Sequence, residues 1–164
     1  MRTQTIHLMV GNIGCGKSTT VRNLLKKLNN KAFVINDDAL AMALNPTMKY
    51  NNEMWRDGRK ETYWDVMEAM AHTILSKTDY DVIIDSPLMS RAKRKPFIEI
   101  AFNKECQVKA YLHRTPGGLE RRIADSRGEK AEVWKEVFNF LEKEYEEPSK
   151  IAERLTDIIV CDFK

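Results

Sequence analysis

The sequence predicts an α/β domain of three layers, in which a five-stranded, mainly parallel sheet lies between helices on both faces. Two observations lead to this prediction: the lengths of the apolar and amphipathic segments, and the order in which they follow one another. Short apolar runs, typical of buried strands, alternate with longer amphipathic segments, typical of helices, along the whole chain. Such alternation favours parallel pairing, because right-handed crossovers return each helix onto the sheet. Since no repeat or Gly/Ser linker divides the 164 residues, we expect a single domain, residues 1–164.

Each predicted strand is a short run of mostly aliphatic residues that ends at a polar or turn-forming position. In chain order the predicted strands are Thr5–Val10, Ala32–Ile35, Val82–Asp85, Gln107–His113 and Ile158–Val160. Ligands of a parallel α/β sheet bind at the carboxyl ends of its strands. We therefore expect the functional site in the polar segments that follow the first four strands.

The predicted helices carry apolar residues at spacings of three and four, which place them on one face. In chain order they are about Lys17–Leu28, Ala39–Leu44, about Asn52–Ser76, a helix that begins at Arg91 with Ser90 as its N-cap, Leu119–Arg122 and about Lys130–Glu146. The first should stop at Asn29-Asn30, because Asn tolerates a left-handed backbone. The expected inward residues are Val21, Leu24, Leu25 and Leu28 in the first helix, Tyr63, Met67, Met70 and Ile74 in the third, and Trp134, Val137, Phe138, Leu141 and Tyr145 in the last.

The composition is that of a soluble globular protein, with 43% hydrophobic and 31% charged residues. The start of the chain lacks a hydrophobic signal region, and no apolar run is long enough to span a membrane. The three cysteines are scattered and form no CxxC pair, which favours reduced thiols. We therefore expect a cytoplasmic protein with no membrane partner. The net charge of +3 permits an anionic partner, and the oligomeric state is left open.

A phosphate-binding loop is predicted between the first strand and the first helix. Residues 11–18, Gly-Asn-Ile-Gly-Cys-Gly-Lys-Ser, match G-x-x-x-x-G-K-[ST] at every required position. The glycines let successive backbone N–H groups point at a phosphate, Lys17 adds charge near the β- and γ-phosphates, and the Ser18 hydroxyl ligates Mg²⁺. The expected ATP-binding residues of this loop are Gly11, Asn12, Ile13, Gly14, Cys15, Gly16, Lys17, Ser18 and Thr19.

Carboxylates at two strand ends complete a site for phosphoryl transfer. Asp85 closes the third strand, where a second Mg²⁺-organising group belongs. Asp37 and Asp38 follow the second strand, and either could accept the proton of an attacking hydroxyl. Either could instead cap the short helix that follows. A GTPase is disfavoured because no Asn-Lys-x-Asp motif follows a late strand, so a small kinase is the natural interpretation.

Arginines and aromatic residues suggest a lid and an acceptor site. Arg121, Arg122 and Arg127 precede or flank a Gly-containing segment and favour a lid over the γ-phosphate, although a solvated basic helix face would look the same. Candidate acceptor-binding residues fall in two segments. Residues 49–56 mix aromatic, basic and amide groups, and residues 91–95 contain four cations in five residues, although a core tryptophan and a basic surface helix would look the same. With the aspartate pair, these candidates are Asp37, Asp38, Tyr50, Trp55, Arg56, Arg91 and Arg94.

With these motifs, the chain resembles the phage polynucleotide 5′-kinase branch of the P-loop kinases, within the AAA- and zeta-toxin-like small kinases. The resemblance implies a P-loop kinase fold with an arginine-bearing lid. It also implies ATP and Mg²⁺, with Lys17 and Ser18 holding them and Asp85 organising the metal. Asp37 would be the general base, and Arg122 and Arg127 would be lid arginines that also bind ATP.

The family implies phosphorylation of a hydroxyl, typically the 5′-OH of DNA or RNA, so nucleic acid is the expected partner, as a single strand or a duplex end. Related branches phosphorylate hydroxymethylated pyrimidines in phage DNA, nucleosides, nucleotides or small metabolites. The sequence departs from the polynucleotide kinases where an acceptor-binding Arg is replaced by Leu40 or Ala41, and where Pro87 stands in place of an Asn. A small-molecule kinase and a binding module that hydrolyses ATP incidentally therefore stay open as alternatives.

Overall fold

A computed structural model of the protein describes residues 3–49, 52–125 and 130–161, and these residues form one five-stranded sheet. The strands are β1 Thr5–Val10, β2 Ala32–Asn36, β3 Asp81–Asp85, β4 Gln107–His113 and β5 Asp157–Cys161. Their order is β2-β3-β1-β4-β5, and every neighbouring pair is parallel. The predicted strands are therefore confirmed, to within one residue at their ends.

The parallel register brings the loops that carry chemistry to one edge of the sheet. Asn36 of β2 pairs with Asp85 of β3, and β1 lies between β3 and β4. The segments that follow β1, β2, β3 and β4 consequently leave the sheet on the same side. This is the edge at which the sequence predicts the functional site.

Helices cover both faces of the sheet. They are α1 Lys17–Lys27, α2 Asp37–Leu44, α3 Arg59–Lys77, α4 Arg91–Asn103, α5 Gly118–Asp125 and α6 Ala131–Lys143, with a short 3₁₀ turn at Asn52–Trp55. Strand β1 is buried along its whole length and alternates between the two layers. Ile6, Leu8 and Val10 pack with α3 and α4, whereas Met9 packs with α1.

Two details of the helices differ from the expectation. The long third helix begins only at Arg59, because Gly58 adopts a left-handed backbone (φ 77°) that separates it from the preceding 3₁₀ turn. Met70 is 38% exposed, so its placement on the inward face was wrong. The buried residues of α3 are Tyr63, Met67, Ala71 and Leu75, which follow a strict spacing of four. No helix in the described ranges is long and apolar enough to cross a membrane.

Arg94 is a structural residue, which corrects its assignment to the acceptor site. Its side chain is fully buried and donates two hydrogen bonds to Glu153, at 2.7 and 2.9 Å. It also donates to the backbone oxygens of Leu88, Met89 and Glu146. The guanidinium therefore ties the loop after β3 to the segment that precedes β5, and it is not available to a ligand.

We predict that Arg94→Met lowers the free energy of unfolding by about 3–5 kcal/mol, because it leaves Glu153 buried without its bidentate partner. Arg91 is a matched control, since it lies 3.7 Å from the same Glu153 but its side chain is 52% exposed. Arg91→Met should change the free energy by about 0.5 kcal/mol or less. Urea unfolding measures both, and equal losses would contradict the structural role of Arg94.

Candidate functional site

The phosphate loop, residues 11–18, joins the end of β1 to the start of α1. Gly16 is the N-cap of α1 and adopts a left-handed backbone (φ 96°), so no side chain at the cap competes for the first-turn N–H groups. Lys17 Nζ donates to the carbonyl oxygens of Gly11, at 3.0 Å, and of Asn12, at 2.7 Å. The Lys17 ammonium is thus held against the loop, close to the N-terminus of α1, and backbone N–H groups at a helix N-terminus bind phosphate.

The side chains within the loop mostly anchor it to the protein. Asn12 is buried and donates through Nδ2 to Glu142 Oε1, at 2.7 Å, and to the Phe138 carbonyl, at 3.0 Å. Ile13 and Cys15 are also buried. What Asn12, Ile13 and Cys15 can offer a nucleotide is therefore their backbone, whereas Lys17 and the exposed Ser18 offer side chains.

Helix α5 lies directly on the phosphate loop. A Cβ atom at Gly14, where φ is +68°, would be 1.9 Å from the carbonyl oxygen of Gly118, the first residue of α5. A Cβ atom at Gly118 would be 2.7 Å from the Ile13 carbonyl oxygen. Arg121 Nε completes the contact by donating to the Gly14 carbonyl at 2.8 Å. The two backbones therefore approach closely because neither glycine has a side chain.

Of the two predicted lid arginines, the structure describes Arg122 but not Arg127. Arg122 lies in the cavity wall, with its guanidinium 5.1 Å from the centre of the Trp134 ring and 3.5 Å from the Asp125 carboxylate. Arg127 lies outside the described residues. Arg121, which the family resemblance does not assign, also lines the cavity.

The aspartate pair after β2 has one member with an unusual ionisation. Asp37 Oδ2 accepts a hydrogen bond from Ser86 Oγ at 2.5 Å, and its Oδ1 accepts from the Asp38 N–H at 3.0 Å. Desolvation raises the pKa of the Asp37 carboxyl to about 7, and the Asp38 charge adds to this effect. The Ser86 hydrogen bond and the Lys17 charge oppose it. Asp37 can therefore exchange a proton near neutral pH.

The capping interpretation of Asp37 and Asp38 was wrong. The N-cap of α2 is Asn36, whose side-chain oxygen accepts from the Ala39 N–H at 2.7 Å, and the helix begins at Asp37. The same Asn36 donates through Nδ2 to Asp85 Oδ2 at 3.0 Å. Because Asn36 caps the helix, neither carboxylate is needed at the N-cap.

The residues present fit a magnesium–nucleotide complex. Asp85 is 8% exposed, and it lines the same cavity as Ser18 and the phosphate loop. In the described part of the chain, no three His, Cys, Asp or Glu side chains form a metal-binding group. Mg²⁺ sites in phosphoryl transfer use one or two side chains and complete the coordination with phosphates and water, and Ser18 and Asp85 can supply such side chains.

A cavity of about 680 Å³ unites most of the predicted site. Its predicted members are Ile13, Gly14, Cys15, Gly16, Lys17, Ser18, Thr19, Asp37, Asp38, Trp55, Asp85 and Arg122. Arg56 is exposed and does not line it, and Arg91 lines a different surface hollow. Arg56 and Arg91 are therefore not part of the cavity wall, which corrects their assignment to the acceptor site. Tyr50 lies outside the described residues.

Sequence reasoning assigned no role in the site to several residues that line the cavity, namely Lys60, Trp64, Ser86 and Phe140, and it did not single out Lys93. Lys93 belongs to the basic run at the start of α4, but that run alone does not tell which of its cations faces the site. Ser86 directly follows Asp85, and this position next to a predicted ligand is the one signal that could have identified it.

One protein family matches most of the chain. The AAA_33 family, described as an AAA domain, matches residues 6–148. No curated protein sequence matches significantly.

Solved structures with 16–17% sequence identity share the fold. Chaetomium thermophilum Kti12 in complex with ADP-AlF3 is 17% identical with a TM-score of 0.70, covering 96% of this chain and 89% of that chain. A fungal RNA kinase is 16% identical with a TM-score of 0.66, covering 100% and 76%. The Mycobacterium tuberculosis APS kinase CysC in complex with AMPPNP and APS is 16% identical with a TM-score of 0.65, covering 100% and 92%. These similarities confirm the predicted P-loop kinase fold.

We predict that Gly118→Ala weakens nucleotide binding, because the new Cβ pushes α5 away from the Ile13 carbonyl. The overpacking should also cost about 1–3 kcal/mol of stability. Gly58→Ala is the control: its Cβ would meet nothing within 4 Å, so it carries only the strain of a left-handed backbone. Titration of a fluorescent ATP analogue measures the affinity of both variants, and equal affinities would contradict the proposed contact.

A second prediction concerns the stability of Asp37→Asn. The pKa of Asp37 in the folded state, about 7, lies above the ordinary aspartate value of 3.8 that applies in the unfolded chain, so the folded state binds more protons between these two pH values. The wild type therefore loses stability from this group as pH rises from about 4 to above 7. Asp37→Asn removes that loss, so its melting temperature should exceed that of the wild type more at pH 8 than at pH 5. A gain that is independent of pH would be inconsistent with the raised pKa.

Proposed function

The chain belongs to the AAA_33 family of AAA domains, and we propose that it is an ATP-dependent kinase that transfers the γ-phosphoryl group to a hydroxyl acceptor. One observation carries the proposal. A carboxyl group with a pKa of about 7, that of Asp37, lines the same cavity as the Lys17 ammonium of the phosphate loop. A nucleotide-binding site needs no such base, whereas transfer to a hydroxyl does.

The phosphate loop and α5 form the donor side of the cavity. Backbone N–H groups of the loop and the Lys17 ammonium hold the phosphates of ATP, the donor substrate. Ser18 and Asp85 would hold Mg²⁺, which would neutralise charge on the β- and γ-phosphates. Arg122 stands in the same wall and stabilises charge on the moving phosphoryl group. Arg127 is proposed to act with it.

Asp37 acts as the general base. Its carboxylate accepts the proton of the acceptor hydroxyl as that oxygen bonds to the γ-phosphorus and the bond to the β-phosphate oxygen breaks. The products are the phosphorylated acceptor, ADP and a protonated Asp37. Ser86 positions the carboxylate through its hydrogen bond to Oδ2, and the Asp38 N–H fixes the other oxygen.

We further propose that the acceptor is a hydroxyl of nucleic acid, of the 5′-OH type. Support comes from the cavity wall, which contains the aromatic side chains of Trp55, Trp64 and Phe140 together with Lys60 and Lys93. Aromatic rings and cations together suit bases and phosphates. The fold is shared with an RNA kinase, and also with an APS kinase, so the fold does not choose between polymeric and small acceptors.

Transfer of label from [γ-³²P]ATP to a panel of acceptors tests both proposals. The panel contains 5′-OH DNA and RNA oligonucleotides, as single strands and duplex ends, hydroxymethylated DNA, nucleosides and nucleotides. Labelling of oligonucleotides supports the nucleic-acid acceptor, and labelling only of monomers would replace it with a small-molecule kinase. ATP hydrolysis with no labelled acceptor would favour a binding module. Lys17→Met serves as the control that removes the loop ammonium.

We predict that Asp37→Asn lowers kcat by about 10²- to 10⁴-fold, the usual contribution of a general base. Nucleotide affinity should remain, because no phosphate contact is assigned to this side chain. Asp38→Asn is the matched control, since it makes the same change in charge one residue further on. A larger loss of kcat for Asp38→Asn would assign the base to Asp38.

The pH profile gives an independent reading of the same group. A general base acts in its ionised form, so activity should rise with pH through about 7 and fall below it. The acidic limb should disappear in Asp37→Asn, leaving a low and pH-independent rate. An acidic limb that persists in this variant would identify a different titrating group.

A further inference from the structure

Two lysines of the cavity converge on a single aromatic ring. Lys60 Nζ is 5.5 Å from the centre of the Phe140 ring, and Lys93 Nζ is 5.9 Å from it. Phe140 is 50% exposed although it lines the cavity, so its ring is accessible to a ligand. Two ammonium groups beside one ring create a local positive potential that an anion would relieve.

The charges of these lysines are unequally balanced by the protein. Lys93 Nζ lies 2.5 Å from Glu144 Oε2, and the two side chains are 16% and 30% exposed. Among the described residues, no carboxylate lies within ion-pair distance of Lys60. The pair therefore carries a net positive charge even when Glu144 is counted.

The topology places both lysines on the acceptor side of the cavity. The donor side is built after β1 and β4, by the phosphate loop and α5. Lys60 lies in the first turn of α3, between β2 and β3, and Lys93 lies in the first turn of α4, which follows β3. Asp37 and Ser86 follow the same two strands. Helix α2, which carries Asp37, has the sequence DDALAMAL and contributes no cation of its own.

We propose that Lys60, Lys93 and Phe140 form a subsite for a phosphate group that belongs to the acceptor. The inference rests on the proposed function and narrows its substrate class. The acceptor presents a hydroxyl to Asp37 and, elsewhere in the same molecule, a phosphate to the two lysines. A nucleotide with a 3′-phosphate or an oligonucleotide meets this requirement, whereas an unphosphorylated nucleoside does not.

In this subsite Phe140 contacts the acceptor, whereas Glu144 competes with the acceptor for Lys93. The ring of Phe140 offers a flat apolar surface to the sugar or base next to the phosphate. Glu144 competes with the acceptor, because an incoming phosphate must share or replace its ion pair with Lys93. Removal of the Glu144 charge should consequently strengthen acceptor binding, an effect opposite in sign to the loss of either lysine.

Kinetics of Lys60→Met, Lys93→Met and a matched control test the subsite. The control is Lys95→Met, which removes the same charge from α4, where Lys95 is 72% exposed, lies 3.6 Å from Glu99 and does not line the cavity. Each cavity variant should raise the KM for an oligonucleotide by about tenfold or more, as for a lost charge-assisted hydrogen bond. The KM for ATP and all constants of Lys95→Met should stay unchanged. Glu144→Gln should lower the oligonucleotide KM.

Salt dependence and substrate truncation identify the ligand as phosphate. The slope of log KM against log salt should fall by about 0.7 for each lysine removed, if the acceptor is a single strand. A nucleoside 3′-monophosphate should have a lower KM than the nucleoside in the wild type, and this advantage should vanish when both lysines are replaced. Variants that match Lys95→Met in every constant would overturn the subsite, as would an unchanged advantage of the 3′-phosphate.

Equilibrium binding separates failure of the subsite from failure of the proposed function. Binding of the nucleoside 3′-monophosphate is measured for each variant by calorimetry, without ATP. If the wild type phosphorylates no acceptor but binds this nucleotide through Lys60 and Lys93, the kinase proposal fails and the subsite stands. If transfer is intact but binding ignores both lysines, only the subsite is overturned.

Discussion

The backbone contact between Gly14 and Gly118 decides how the two walls of the donor site meet. A side chain at either position would collide with a carbonyl oxygen of the other segment, at 1.9 Å and 2.7 Å. The contact brings the first residue of α5 onto the phosphate loop, so Arg121 reaches the Gly14 carbonyl and Arg122 enters the cavity wall. A separation larger by one side chain would move both arginines away from the loop. Gly14 stands at a position where the loop motif accepts any residue, but here its left-handed backbone and its contact with α5 both disfavour a side chain.

The opposite wall is organised around a carboxyl group whose ionisation is disfavoured. Asp37 is desolvated and lies next to Asp38, and these two effects outweigh the Ser86 hydrogen bond and the Lys17 charge. A carboxyl group of ordinary pKa would be a weaker base at neutral pH. The same environment lowers the stability of the folded state above neutral pH. Proton acceptance and stability therefore place opposite demands on this residue.

Three consecutive basic residues at the start of α4 have three different environments. Lys93 lines the cavity, Arg94 is buried and joins the loop after β3 to Glu153, and Lys95 is solvent-exposed beside Glu99. The helical rotation of about 100° per residue sends three consecutive side chains in different directions. The buried Arg94 holds the carbonyls of Leu88 and Met89, which follow Ser86 closely along the chain. The loop that contains Ser86 is thus anchored, two and three residues further on, by a buried ion pair outside the cavity.

The amino-acid sequence by itself determined the strands, their parallel arrangement, the phosphate loop and the two carboxylate positions at strand ends. These features follow from local patterns, because aliphatic runs, glycine spacing and strand-end residues act over a few positions. The tertiary structure decided that Asn36 caps α2. It also decided that the cavity is lined by Lys60, Lys93 and Phe140 and not by Arg56, Arg91 and Arg94. Lys60 and Phe140 are 80 positions apart in the chain and meet only when α3 and α6 border the same cavity. Such long-range proximity, like the desolvation of Asp37, depends on packing and leaves no signal in the spacing of residues.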